Sequence, residues 1–432
     1  MKTPKAGADD FIASGHAETD VADLPGTAAI GEPTCARVAD DFVFAWPGCD
    51  VQIDVTAVKE HRDGITAELA VSLGGVELHW GRLALASTSA KVALAKRLAQ
   101  QHRALPWGTL VERVCRATAR AVRAGEPFVT LTGAAGRPTR ELLPRVLYAG
   151  EPTLIIGDGD TGKSLTAKAI AVAMQSGAAL PFGLAPAQAV GVAYFDWETT
   201  LDTVDERVGL LSAGLGIAVP PILYQRMARP LQEAVRVLAA ECARRGIGLV
   251  IIDSMMFACA GGDGAAFHEP ITGFYAACRL FAPAAVLVLS HITGADARTH
   301  GPARPYGGAF AFNGPRLIWE AKRDRTVPDA TAIAFTCIKA NNLPRTPEPF
   351  GLRFVPGPGT ITISPFDLVT APAQVIAGAS LSYHVRLALG RGVEDPEAIV
   401  EGLREIGKSA TVDTIKRLLR LERQRTRQEE KP

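Results

Sequence analysis

The run TLIIGDGDTGKSLTAKAI, from Thr153 to Ile170, constrains this chain more than any other stretch. An apolar strand-like segment leads into a glycine-rich turn, and apolar residues at helical spacing follow. Gly157, Asp158, Gly159, Asp160, Thr161, Gly162, Lys163 and Ser164 satisfy the pattern GxxxxGK[ST] at every fixed position. Glycines in such a turn let successive backbone N–H groups converge on phosphates, and the positive end of the following helix adds to the attraction. Lys163 is placed to reach the β- and γ-phosphates and Ser164 to ligate Mg2+, with Leu165 closing the run of nucleotide contacts. ATP with magnesium is therefore the expected ligand. Asp158 and Asp160 are unusual neighbours for a polyanion and are expected to turn their carboxylates away from it.

After Thr153, strand-like runs TLIIG, GVAYFDW, GLVIID and AVLVLS alternate with helical stretches that start at Lys163, Leu201, Leu231 and Pro270. Such alternation predicts a mainly parallel sheet wrapped by helices. Later runs, RLIWEAKRD, ATAIAFTCIKANN, FGLRFV and GTITIS, have no helices between them and predict antiparallel strands at the end of the sheet.

Within that frame, Asp253 ends an apolar strand and suits a water-mediated hold on magnesium. Glu198 falls just past the second strand after the loop, where a carboxylate can polarise the water that attacks the γ-phosphate. Asp196 is its competitor, and Ser254 in place of an acid after Asp253 favours Glu198. His291 follows the next strand and has two readings, a γ-phosphate sensor or a structural histidine. The loop after it carries Arg298, His300, Arg304 and Tyr306 and reads either as a grip on a phosphate backbone or as a surface loop.

Charge offers no global hint of a partner, because 46 basic residues meet 45 acidic ones. Seven scattered cysteines without a CxxC pair fit buried thiols in a reducing compartment. The start of the chain has no basic-then-apolar leader, and no apolar run approaches the roughly 20 residues of a membrane span, so a cytoplasmic location is expected. The 432 residues divide into a flexible tail (1–38), a small β/α domain (39–125), a linker (126–150), an ATPase core (151–368) and a helical region (369–432). In the small domain, Val51, Ile53 and Val55 alternate with polar residues, turns fall at HRDG and at Gly74–Gly75, and Ser87 or Ser89 caps the first helix. In the last region, Asp395 before Pro396 starts one helix, and Ser409 or Thr411 starts the next. Residues 404–432 hold nine Lys/Arg against five Asp/Glu, a net of +4. These helices read as a helix-turn-helix for duplex DNA or a partner protein, or as a plain cap with a solvated basic face.

Residues from about 145 to 365 resemble the RecA-like ATPases, and within them the plasmid and phage RepA-type replicative helicases of the AAA-25 group. The residues that carry the likeness are the loop 157–164, Glu198 in YFDWETTLDTVDERV, Asp253, His291, YGGAFAFNGPRLIW (Tyr306 to Trp319) and IKANN (Ile338 to Asn342). The resemblance implies a RecA-like core, a hexameric ring with nucleotide between neighbours, and central loops on single-stranded DNA. One departure is Lys339–Ala340–Asn341, where DnaB-type helicases place Lys-x-Arg to complete the neighbour's site. Lys339 is the expected trans-acting cation, with Arg345 and Arg316 as alternatives. The function expected is an ATP-hydrolysing, DNA-associated ring motor, a replicative helicase or helicase-like ATPase of a phage or plasmid. Its rival is a nucleotide-switched DNA-binding regulator of the partition or transcription type on the same fold.

Overall fold

The computed structural model describes residues 30–38, 41–124, 130, 141–259, 268–292, 303–341, 343 and 345–429. The chain forms two compact units, Met1–Ala134 and Ala135–Pro432.

In the first unit β1 (Thr34–Val38), β2 (Asp41–Trp46), β3 (Val51–His61), β4 (Gly64–Leu73) and β5 (Val76–Ala84) pair in that order as an antiparallel sheet. Val51, Ile53 and Val55 are buried and Gln52 is exposed, as the period of two requires. Gly64, Gly74 and Gly75 take positive φ in the two hairpin turns. Helices α1 (Thr88–Gln101) and α2 (Trp107–Ala124) share the sheet's core through Leu94, Leu98, Trp107 and Leu110. Ser87 caps α1 by accepting a hydrogen bond from Ala90 N–H. Residues 34–38, assigned to the tail by composition, form β1 instead, because pairing with β2 satisfies their backbone.

The second unit opens with a hairpin, β6 (Glu141–Leu143) and β7 (Leu147–Tyr148), inside the stretch expected as a linker. Leu142, Leu143, Val146 and Leu147 enter the main core, and that burial ties the stretch down. The large sheet has the order β10-β9-β11-β12-β8-β13-β14-β15-β16. Its strands are β8 (Pro152–Gly157), β9 (Gly191–Asp196), β10 (Leu223–Arg226), β11 (Ile247–Asp253), β12 (Ala285–His291), β13 (Leu317–Asp324), β14 (Thr331–Ala340), β15 (Phe350–Gly357) and β16 (Thr360–Pro365). From β10 to β13 every pairing is parallel, and from β13 to β16 every pairing is antiparallel. Short β10 on the sheet's edge has no apolar alternation to betray it in sequence.

Two apolar layers cover the sheet. One includes α3 (Lys163–Ser176) and α4 (Leu201–Gly214); the other includes α5 (Leu231–Arg244), α6 (Met255–Ala258) and α7 (His268–Arg279). The strands between them read as continuous apolar runs because both faces are buried. After α8 (Gly308–Asn313) and the late strands come α9 (Leu381–Gly390), α10 (Pro396–Glu405) and α11 (Val412–Glu429). These three share a small core of Val385, Ile399, Leu403 and Ile415. Asp395 caps α10 with Pro396 behind it, and Thr411 accepts from Thr414 N–H at the start of α11. Five of the seven cysteines are buried and all seven are free thiols. Among the described residues no helix is long and apolar enough to cross a membrane.

Candidate nucleotide site

Strand β8 delivers Gly157 to the end of the sheet, level with His291 on β12. A Cβ on Gly157 would stand 2.6 Å from the Ala321 carbonyl oxygen, and one on Gly162 would stand 2.6 Å from Ile333 Cδ1. Gly162 also has φ +87°, so the loop's tight approach to its neighbours needs glycine at both places. Lys163 is 6% exposed, and its ammonium donates to the carbonyls of Gly157 at 3.0 Å and Asp158 at 2.7 Å. Burial lowers its pKa, against the opposing fields of Glu198, Asp253 and Asp158.

The two aspartates of the loop are each engaged. Asp158 Oδ1 accepts from Gly159 N–H at 2.8 Å. Asp160, with φ +58°, lies 3.0 Å from Nη1 of Arg323 on β13 and 3.8 Å from Nη1 of Arg325 just past its end. Those guanidinium groups offset a carboxylate that would otherwise repel a triphosphate. We expect Arg323→Ala to weaken ATP binding about threefold and added Asp160→Asn to restore it, the pair being partly exposed. Titration with a fluorescent ATP analogue checks this, and a double variant as weak as the single one contradicts it.

Ser164 opens α3 on the phosphate-loop side, and its hydroxyl is near enough to the Asp253 carboxylate at the end of β11 to favour its ionised form. Burial pushes the Asp253 carboxyl up, opposed by Lys168, Tyr194 and Ser164. A hydroxyl and a carboxylate side by side are the hard oxygen donors magnesium prefers, and so few protein ligands suit an ion that arrives with phosphates. The donor set fits the ion.

The two acids around the end of β9 have different surroundings. Asp196 is fully buried. Its Oδ1 accepts from Glu198 N–H at 2.8 Å and Thr199 N–H at 3.0 Å; its Oδ2 accepts from the Thr199 hydroxyl at 2.6 Å and Tyr224 at 3.2 Å. With both oxygens occupied, Asp196 holds the turn and has no free lone pair aimed at the loop. Trp197 N–H donates to Asp253 O at 2.7 Å and locks the ends of β9 and β11 together. Glu198 is thereby presented toward Lys163, accepting from the Ser254 hydroxyl and lying 3.6 Å from His291 Nε2. His291 is the main cause that holds the Glu198 carboxyl below its usual range, with Ser254 and Lys163 adding to it against burial.

Tyr306 N–H donates to the His291 carbonyl at 2.9 Å, and Ile292 bridges Pro305, so the two ends of the intervening loop are pinned together. Arg298 and His300 lie outside the described residues; Arg304 is exposed and Tyr306 half-buried. Lys339 stands away from the phosphate loop's own network. Its ammonium donates to the carbonyls of Phe312 at 2.7 Å, Asn313 at 3.1 Å and Pro315 at 2.8 Å, fastening the end of α8. Sequence reasoning missed Tyr194, Tyr224, Arg323 and Lys168. Only Lys168 left a trace there, as a lone charge within the apolar run AKAIAVAM.

Residues 119–296 match the model of an AAA domain family, AAA_25. No curated protein matches the chain. Among solved structures, a KaiC-like protein from the hyperthermophilic archaeon Pyrococcus horikoshii OT3 is similar at 13% identity and a TM-score of 0.37, over 55% of this chain and 100% of that one. Family match, phosphate loop and sheet order agree on a RecA-like P-loop ATPase domain.

Proposed function

We propose that this ATPase domain drives a DNA-associated, ring-forming motor, a replicative helicase or helicase-like ATPase of a phage or plasmid. The observation that carries the reading is the seat of Glu198, between Ser254 and His291 and within the field of Lys163. A carboxylate kept ionised there is suited to orient water for in-line attack rather than to receive a phosphoryl group. Lys163 would exchange its two loop carbonyls for phosphate oxygens, and Ser164 and Asp253 would hold the metal. Magnesium supplies neutralisation of the phosphate oxygens.

His291 offers the route from this site to DNA. It touches Glu198 through its ring and Tyr306 through its backbone, so a change at Glu198 bears on Tyr306. In this reading the loop 293–309, with Arg298, His300, Arg304 and Tyr306, grips single-stranded DNA, and six copies close a ring. Lys339 is the cation that completes a neighbour's site in this reading, exchanging the three carbonyls it now holds, with Arg345 and Arg316 as alternatives.

The test is ATP turnover with and without single-stranded DNA, run beside a sizing column with nucleotide. Stimulation by single strands, unwinding of a forked duplex and a ring-sized peak are expected. An ATPase indifferent to single strands, with tight binding to one duplex sequence through the basic α11, would replace the motor by the regulator.

A further inference from the structure

Helix α3 packs with small apolar residues such as Ala167, Ala169 and Ala171, yet Lys168 among them is only 3% exposed. It lies one helical turn beyond Ser164. Its ammonium is 3.1 Å from the Tyr194 hydroxyl and 3.9 Å from Asp253 Oδ2. Tyr194 gives its one hydroxyl proton to Asp253 Oδ2 at 2.6 Å, so its oxygen accepts from Lys168. Tyr194 and Asp253 are as deeply buried as the lysine. An ammonium is costly to bury, and Met or Leu would pack at this place without that cost.

We propose that Lys168 is a fixed counter-charge that keeps Asp253 from holding a divalent cation on its own, so that metal enters only together with nucleotide. The inference rests on the nucleotide-site reading above. Two ammonium groups, Lys163 and Lys168, face two carboxylates, Asp253 and Glu198, around this point. Burial lowers the Lys168 pKa and Arg207 adds to this, while Asp253, Asp196 and Glu198 favour its charged form. A lone dication therefore meets little net attraction, whereas one carried by a polyphosphate brings its own compensating charge. Without Lys168 the site would keep one uncompensated negative charge in a poorly solvated place.

Mn2+ is the probe, its free concentration followed by electron paramagnetic resonance with the nucleotide-free full chain. Wild type should bind it weakly, and Lys168→Met should tighten binding about tenfold or more. Lys168→Gln, which retains a donor for Tyr194, should shift affinity the same way and serves if the Met variant fails to fold. Lys168→Arg, which keeps the charge, should stay like wild type. Neutral variants that bind Mn2+ no tighter than wild type overturn the proposal, as does an Arg variant that tightens it equally. Wild-type binding of ATP with magnesium, measured in parallel, separates the two levels. If wild type fails to bind it, the nucleotide-site reading falls; if it binds and the neutral variants leave Mn2+ affinity unchanged, only the role of Lys168 falls.

Discussion

Replacing Lys163 with Ala should abolish ATP binding at any practical concentration. The lysine is buried, and its ammonium already sits on the carbonyls of Gly157 and Asp158 at the centre of the loop. Charge-assisted hydrogen bonds to phosphate are each worth about 1.5–3 kcal/mol, so losing two of them costs about 3–6 kcal/mol, or roughly two to four orders of magnitude in affinity. The loop keeps its close approach to Ala321 at Gly157 and to Ile333 at Gly162 when the lysine side chain is removed. Calorimetric titration with ATP and magnesium measures the loss, and a thermal melt shows whether the fold survives. A well-folded Lys163→Ala protein that still binds ATP within tenfold of wild type would remove the loop from the nucleotide site.

The second large effect falls on turnover with binding left intact. Glu198→Gln keeps the shape of the side chain and an acceptor for Ser254 but removes the negative charge. Loss of a general base costs about two to four orders of magnitude in rate, while ground-state affinity for ATP should stay within a few-fold of wild type. Phosphate release under single turnover, beside a binding titration, separates the two quantities. Normal hydrolysis by the Gln variant would take the base assignment away from Glu198. A pH profile adds a check with a definite sign. The carboxyl is held below its ordinary value of 4.5, so it stays ionised down to and beneath that pH. Activity should therefore not fall through Glu198 until the medium is more acidic than 4.5. A loss of activity centred higher belongs to another group.

Both predictions use residues that stand out in the sequence, and the reason is locality. The strand, turn and helix around Lys163 lie within eighteen consecutive residues, and the glycines needed there are needed by the turn's own backbone and close contacts. Caps behave the same way: Ser87, Asp395 and Thr411 accept from N–H groups three residues ahead. The choice between Asp196 and Glu198 was not legible by that route. Asp196 is engaged partly by Thr199, three residues on, but also by Tyr224, which lies 28 residues away on β10. That strand is itself unreadable in LYQR without its neighbour in the sheet.

What the amino-acid order determined alone was the phosphate loop, the alternation that makes a parallel sheet, the antiparallel finish and the capped helices at the end. Each depends on contacts between near neighbours, or on a periodicity that any burial partner would read alike. Tertiary structure alone decided the partners of the charges. Lys339 closes on carbonyls 24 to 27 residues earlier, Arg323 meets Asp160 across 163 residues, and Lys168 comes to rest beside Asp253. A charged side chain reaches several ångströms and accepts any opposite charge or carbonyl within range. Its partner is therefore chosen by where the sheet brings distant segments together.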